Sequence, residues 1–130
     1  MGQPERPTES PNYTVNFEGQ LKPGTYQRSD GNHFRQMNEQ LYRYMQVNPD
    51  QASQLEQLYP GIIQHVQPGA RGGFSPSAPR GQSYHHDPSR PGILQLVPRS
   101  EHQSPGTVQD SLHPNGQGGR ENWGGGAPNR

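Results

Sequence analysis

The sequence predicts a small α+β domain, helical in its N-terminal half and built on a β-hairpin in its C-terminal half. Apolar residues recur at helical spacing over residues 32–59, and two short predicted strands, at residues 84–87 and 93–97, flank a Pro/Gly turn. Leu, Ile, Val and Phe make up about a seventh of the 130 residues, while 17 Gly and 15 Pro make up about a quarter. Such a chain is expected to form one loop-rich domain with a thin core that a metal or a partner helps to stabilise.

The first half of the chain contains one predicted strand and one long helix. Residues 1–12 have the composition of a disordered linker. Residues 13–19 (YTVNFEG) alternate apolar and polar side chains, as a half-buried strand does. A helix is expected from Asn32 onward, with Asp30 or Asn32 as its cap. The side chains on its apolar face are Phe34, Met37, Leu41, Tyr44 and Met45.

A second helix and a hairpin follow. Asn48 is expected to cap this helix and Pro49 to open it, with Leu55, Leu58 and Tyr59 facing inward. Residues 60–66 (PGIIQHV) form one more apolar turn, and residues 67–83 have no periodicity. The hairpin then has strands over residues 84–87 and 93–97. RSEH, after Pro98, is expected to open a short helix, and the tail is Gly-rich apart from Trp123, expected to be a packing anchor.

Composition excludes several classes of protein. The chain has no cysteine, so disulfides, thiolate metal sites and a cysteine nucleophile are all ruled out. No apolar run is long enough to span a membrane, and the first residues lack the apolar segment of a signal peptide. An exported chain of this kind is therefore expected to travel as part of a larger polypeptide or through a secretion machine that does not read such a signal. The net charge is zero, but all six basic residues after position 65 are arginines, which suit phosphate oxygens.

Four of the six histidines lie between positions 85 and 113: His85, His86, His102 and His113. Neutral imidazole is a common metal ligand, and its unperturbed pKa lies near neutrality. Neighbouring residues of a strand point to opposite faces, but at a strand end one ring can hold a metal while the other faces a substrate beside it. We expect His33 and His65, by contrast, to be structural or solvated.

The segment YHHDPSRPGILQLVPRSEHQ, together with SLHPNGQGGRENWGG, resembles the HNH/endonuclease VII group of His-Me finger nucleases. The resemblance is strongest to the toxin nucleases named for a Trp-His-His or Leu-His-His motif. It covers about residues 13–126, so that residues 13–130 are expected to form the nuclease domain. Residues 83–126 would form its ββα-metal finger, a β-hairpin and a helix that hold one divalent cation (Zn, Mg, Mn or Ni).

The resemblance also implies roles for individual residues. His86 would be the catalytic general base, with the neighbouring His85 as both a catalytic residue and a metal ligand. His102 and His113 would be further ligands. Two positions depart from the family pattern: Tyr84 replaces the usual Trp, and no Asn lies between His86 and His102 to orient the base. Gln95 or a backbone carbonyl would have to hold the other nitrogen of that imidazole.

The implied function is a sequence-nonspecific DNA endonuclease that acts as an antibacterial toxin. It would be the C-terminal effector domain of a larger secreted polypeptide, delivered by a secretion system into the cytoplasm of the target cell without membrane binding. A cognate immunity protein would protect the producer. Arg90, Arg99 and Arg120 would bind phosphates of the DNA. The alternatives are a ribonuclease toxin on the same fold, a non-catalytic zinc-stabilised interaction module, and a disordered segment that folds on a partner.

Overall fold

The computed structural model describes residues 13–102, with the backbone alone of His102. Within this range the chain forms four helices and one three-stranded antiparallel sheet, which confirms the predicted α+β class. In chain order the elements are β1 (Phe17–Gln20), α1 (Asp30–Val47), α2 (Pro49–Leu58), α3 (Ile62–His65), β2 (Gln82–His86), β3 (Ile93–Pro98) and α4 (Arg99–His102). The linker predicted at residues 1–12 and the tail from residue 103, with His113, Arg120 and Trp123, lie outside the described residues.

The sheet has the order β1-β3-β2, so that β3 is its central strand and β2 lies at an edge. Leu96 of β3 lies opposite Phe17 on one side and Tyr84 on the other, and these three side chains enter the core together. The predicted hairpin is therefore confirmed. The strand predicted over residues 13–19 begins later, at Phe17, and pairs with β3.

The long helix α1 covers the core face of the sheet. Its predicted apolar stripe is confirmed, since Met37, Leu41 and Met45 are buried. The cap was predicted wrongly: Ser29 occupies that position, and its hydroxyl accepts a 3.2 Å hydrogen bond from the backbone N–H of Asn32. Ser29 caps the helix because its short side chain reaches the unpaired N–H groups of the first turn while its own backbone stays extended.

Glycine lets β1 lie close against α1. A Cβ built on Gly19 would stand 2.8 Å from Sδ of Met37 and from Oε1 of Gln40. The Gln40 side chain fills the space and binds the strand, because its Oε1 accepts from the Gln20 N–H and its Nε2 donates to the Gln20 carbonyl. The first strand is thus fastened both to β3 and to the helix above it.

The second helix differs from the prediction in two ways. Asn48 makes no capping bond with its side chain, because its amide donates instead to the carbonyl of Tyr44, 2.9 Å away. Leu58, predicted to face inward, is 68% exposed, because α2 ends there and Tyr59 takes the place against the core. The carboxylate of Glu56 then accepts hydrogen bonds from the N–H groups of Gly61 and Ile63, which lower the pKa of Glu56.

The loop over residues 67–81 is held to the core by Asn38, a fully buried residue of α1. The amide nitrogen of Asn38 donates to the carbonyls of Ser75 and Ser77, at 2.9 and 2.8 Å. Its oxygen accepts a 2.6 Å hydrogen bond from the hydroxyl of Tyr84. Burial raises the pKa of the Tyr84 phenol well above its ordinary value.

No helix in the described part of the chain is long and apolar enough to cross a membrane.

Candidate functional site

The two adjacent histidines at the end of β2 leave the sheet on opposite faces. The strand stays paired with β3 through its last residue, with His85 opposite Gln95 and His86 opposite Leu94. Regular pairing imposes the alternation of a strand, so that His86 faces the helices and His85 faces away from them. Both are buried, with 1% of His85 and 5% of His86 exposed. Because β2 is an edge strand and His86 is its last residue, the two faces meet just beyond this point.

His86 meets a second imidazole on the helical face. Nδ1 of His33, in the first turn of α1, lies 3.0 Å from Nε2 of His86, and the ring centroids are 5.2 Å apart. His33 is completely buried. The ring of Phe34 lies 6.5 Å from the His86 ring and 5.2 Å from that of Tyr84, so that an aromatic wall supports the pair.

A backbone carbonyl fixes the proton positions in this pair. Nε2 of His33 lies 2.8 Å from the carbonyl oxygen of Thr25. A carbonyl oxygen only accepts, so Nε2 of His33 carries the proton and donates it. In neutral His33 the lone pair then lies on Nδ1 and faces His86, whose Nε2 must donate to it. The lone pair of neutral His86 is therefore on its Nδ1.

The loop that carries the Thr25 carbonyl is itself held by Gln36. The amide oxygen of Gln36 accepts from the Lys22 N–H at 2.8 Å, and its nitrogen donates to the Thr25 hydroxyl at 3.0 Å. The same nitrogen lies 2.8 Å from Oδ1 of Asn32. Gln36 thus positions the Thr25 carbonyl, and this carbonyl sets the tautomer of His33. His33 lies one turn before Gln36 on the same helix.

Asp30 completes a group of three potential metal ligands. One carboxylate oxygen of Asp30 and one ring nitrogen each of His33 and His86 all lie within 4.8 Å of one another. Asp30 is half-buried, whereas both histidines are buried. The group offers two imidazole nitrogens and one carboxylate oxygen, a donor set that borderline divalent cations bind.

A separate polar network lies on the other face of the sheet, around His85. Oε1 of Gln95 accepts from the Tyr13 hydroxyl at 2.9 Å, and its Nε2 donates to the Glu18 carboxylate at 3.1 Å. The Tyr13 ring meets the ring of His85 edge-on, with the centroids 6.1 Å apart. Gln95 does not orient His86, because its amide is used on the opposite face. The ring nitrogen Nε2 of His86 contacts His33 instead.

Arg90 closes this network with two ion pairs. Its guanidinium donates to both oxygens of Glu18, at 2.8 and 3.1 Å, and its Nε donates to Asp87 at 2.8 Å. Partial burial acts to lower the pKa of Arg90, but the hydrogen bonds to Glu18 and Asp87 and the charges of these two carboxylates outweigh it and raise the pKa. The arginine is therefore cationic, and its charge is compensated by two carboxylates.

The other predicted site residues are only partly described. Arg99 is exposed at the start of α4, and His102 ends that helix. The side chain of His102 and all of His113 and Arg120 lie outside the described residues, so the predicted ligand set remains a prediction.

His33 was expected to be structural or solvated, and the structure shows it completely buried, in contact with Thr25 and His86 and within the group of Asp30, His33 and His86. One signal for it was present in the sequence. Asp30 and His33 are three residues apart at a helix start, so that they share a helix face.

Comparison with known proteins adds no relative. No protein-family model, curated protein or solved structure gives a significant match to the chain.

Proposed function

We propose that the protein is a metal-dependent, sequence-nonspecific DNA endonuclease in which His86 is the general base. The observation that carries the proposal is the 3.0 Å contact between Nδ1 of His33 and Nε2 of His86, with the Thr25 carbonyl beyond it. In the nuclease family that the sequence resembles, an Asn orients the base, and this chain has no Asn at the expected place. His33 supplies an orienting partner from a different element of the fold.

The chemistry follows from the proton positions. With its Nε2–H donated to His33, neutral His86 presents the lone pair of Nδ1 as a base for water. The water attacks a phosphodiester phosphorus, its proton moves to Nδ1, and the bond to the leaving oxygen breaks. The imidazolium formed on His86 keeps its hydrogen bond to His33 and lies near the Asp30 carboxylate. A positioned general base of this kind contributes roughly 10²–10⁴-fold to the rate.

The cation of this family would be held by His85, His102 and His113. His85 is the one of these side chains that the structure describes, and it is a buried imidazole on the face that also carries the Glu18 carboxylate. Imidazole is a donor type that suits a divalent cation. Such a cation, when bound, supplies charge stabilisation at the phosphate. A substrate lying across the end of β2 reaches both faces of the sheet, and so both His85 and His86.

Substrate contacts are proposed for the arginines of the second half. Arg99 is exposed and forms no ion pair within the described range, so its guanidinium is available to phosphate oxygens. Arg90 is engaged by Glu18 and Asp87, and it would contact phosphate only by exchanging one of these carboxylates. Binding through phosphates makes affinity salt-dependent and insensitive to sequence.

The biological setting is proposed from the same resemblance. The domain would be the toxic end of a larger secreted polypeptide and would act on DNA in the cytoplasm of a competing bacterium. The producing cell would make an immunity protein that covers the site.

The test is nicking of supercoiled plasmid by the purified, untagged chain in separate reactions with Mg²⁺, Mn²⁺, Ni²⁺ and Zn²⁺. We expect His86→Ala to lose activity and the matched variant His65→Ala, altered outside the site, to keep it. The proposal fails if wild type leaves plasmid intact in every metal, or if His86→Ala cleaves at the wild-type rate. Cleavage of RNA that resists EDTA would instead select the ribonuclease alternative.

A further inference from the structure

We propose that Asp30, His33 and His86 form a binding site for a transition-metal dication such as Zn²⁺, separate from the predicted set of His85, His102 and His113. The three donor atoms come from two elements, the first turn of α1 and the last residue of β2. The site is independent of the nuclease proposal. Only its consequence for catalysis, described below, rests on that proposal.

The two imidazoles are already spaced for a shared ion. Nitrogens bound to one Zn²⁺ at roughly 2.0–2.1 Å stand about 3.3 Å apart in a tetrahedral site. Nδ1 of His33 and Nε2 of His86 stand 3.0 Å apart, so an ion needs them to separate by only a few tenths of an ångström. The half-buried Asp30 carboxylate, within 4.8 Å of both, closes the third position by a side-chain rotation.

The surroundings of His33 match what a metal-bound histidine requires. A ligating imidazole usually donates its second N–H to a carbonyl or carboxylate, which fixes the ring and its tautomer. The Thr25 carbonyl accepts this bond from Nε2 of His33 at 2.8 Å, leaving Nδ1 as the ligand atom. Two imidazoles favour Zn²⁺, Ni²⁺ or Cu²⁺, whereas Mg²⁺ favours oxygen ligands and keeps its waters.

Occupation of this site changes the proton position on His86. An ion bound at Nε2 displaces the proton there, and a neutral, ligated imidazole carries its proton on Nδ1 instead. The displaced proton is therefore accommodated on the same ring, and Nδ1 loses the lone pair that accepts a proton from water. If His86 is the base of a nuclease, Zn²⁺ at this site inhibits the enzyme.

Calorimetric titration of the untagged full chain with ZnCl₂ tests the site. We expect Asp30→Asn to weaken one binding event by at least about tenfold, the lower end of what loss of a supporting group costs a metal site. Asp50→Asn is the matched control, because Asp50 also lies in the first turn of a helix. Circular dichroism should show both variants folded. Equal Zn²⁺ affinity for the Asp30 and Asp50 variants overturns the proposal.

Nitrogen NMR of ¹⁵N-histidine-labelled protein gives a second readout that does not depend on activity. We expect Zn²⁺ to shift Nδ1 of His33 and Nε2 of His86, and the proton of His86 to move to Nδ1. If Zn²⁺ binds while the resonances of both rings stay unchanged, the ion lies elsewhere and the proposal is wrong. A positive result here together with a plasmid left intact would retain the metal site and reject the nuclease.

Discussion

The hydrogen bond between Tyr84 and Asn38 gives the sharpest prediction of stability. The two groups are buried and only 2.6 Å apart, and the Asn38 amide also holds the carbonyls of Ser75 and Ser77. Tyr84→Phe removes the hydroxyl and leaves the ring in place. The amide oxygen of Asn38 then loses its buried donor. An unsatisfied buried acceptor costs about 1–3 kcal/mol of the free energy of unfolding.

Urea denaturation measures this change as a lower midpoint with an unchanged slope. For a domain of this size, each 1 kcal/mol lowers the Tm by about 4–8 °C. Tyr42→Phe is the matched control, because the half-buried Tyr42 hydroxyl makes no hydrogen bond to the described residues. The reasoning is refuted if Tyr84→Phe stays within about 0.5 kcal/mol of wild type, the usual scatter of neutral surface substitutions.

The same tyrosine predicts a dependence on alkaline pH. Burial raises the pKa of Tyr84 in the folded state above the value of about 10 that an unfolded tyrosine has. Above pH 10 the unfolded state therefore loses a proton that the folded state keeps, and the free energy of unfolding falls with pH. This group contributes up to about 1.4 kcal/mol per pH unit. The difference between wild type and Tyr84→Phe should shrink from pH 9 to pH 11, and a constant difference would contradict the buried-phenol argument.

Three further predictions concern the two faces of the sheet. Zn²⁺ added to a Mg²⁺ or Mn²⁺ nicking reaction should slow wild type, and Asp30→Asn should resist this inhibition, whereas Asp50→Asn should not. His33→Ala should lower the nicking rate by at least about tenfold, less than the roughly 10²–10⁴-fold that a general base contributes, because His86 itself remains. His33→Asn should restore part of the rate because the Asn oxygen can accept from His86, and equal rates for the two variants would remove the positioning role. Glu18→Ala should cost about 1–3 kcal/mol in urea denaturation, because three charge-assisted bonds end on this carboxylate.

Local patterns predicted much of the fold because they report on local structure. The stripe of Met37, Leu41 and Met45 identified α1, and the Pro/Gly turn before the apolar run at residues 93–97 identified the hairpin. Helix ends were less predictable. Ser29, Asp30 and Asn32 are all residue types that cap helices, and the path of the loop before α1 determines which of them occupies the N-cap position. Leu58 fits the apolar periodicity of α2 but is exposed, because the helix ends there. Periodicity alone does not show where a helix leaves the core.

The candidate site was predicted from one half of the chain and depends on both halves. The clustering of histidines indicated His85 and His86, since these are adjacent in sequence. The partner of His86 is 53 positions away. Helical spacing relates Asp30 to His33, but no local pattern indicates that this turn of α1 lies over the last residue of β2. That contact depends on the pairing of β1 with β3 and on the close approach of α1 that Gly19 permits.

The thin core explains why the side chains of the proposed chemistry also contribute to stability. With few apolar residues, the fold buries polar ones, and each needs a partner because an unpaired buried polar group costs about twice what a made hydrogen bond contributes. His33 with His86, Asn38 with Tyr84 and Gln95 with Glu18 provide those partners. His33→Ala therefore removes both the packing of the His33 ring and the hydrogen bond that sets the tautomer of His86. A loss of activity in this variant alone would not show which of the two matters. His33→Asn keeps an acceptor for His86 while losing the bond to Thr25, so its activity relative to its stability isolates the part of His33 that acts on the base.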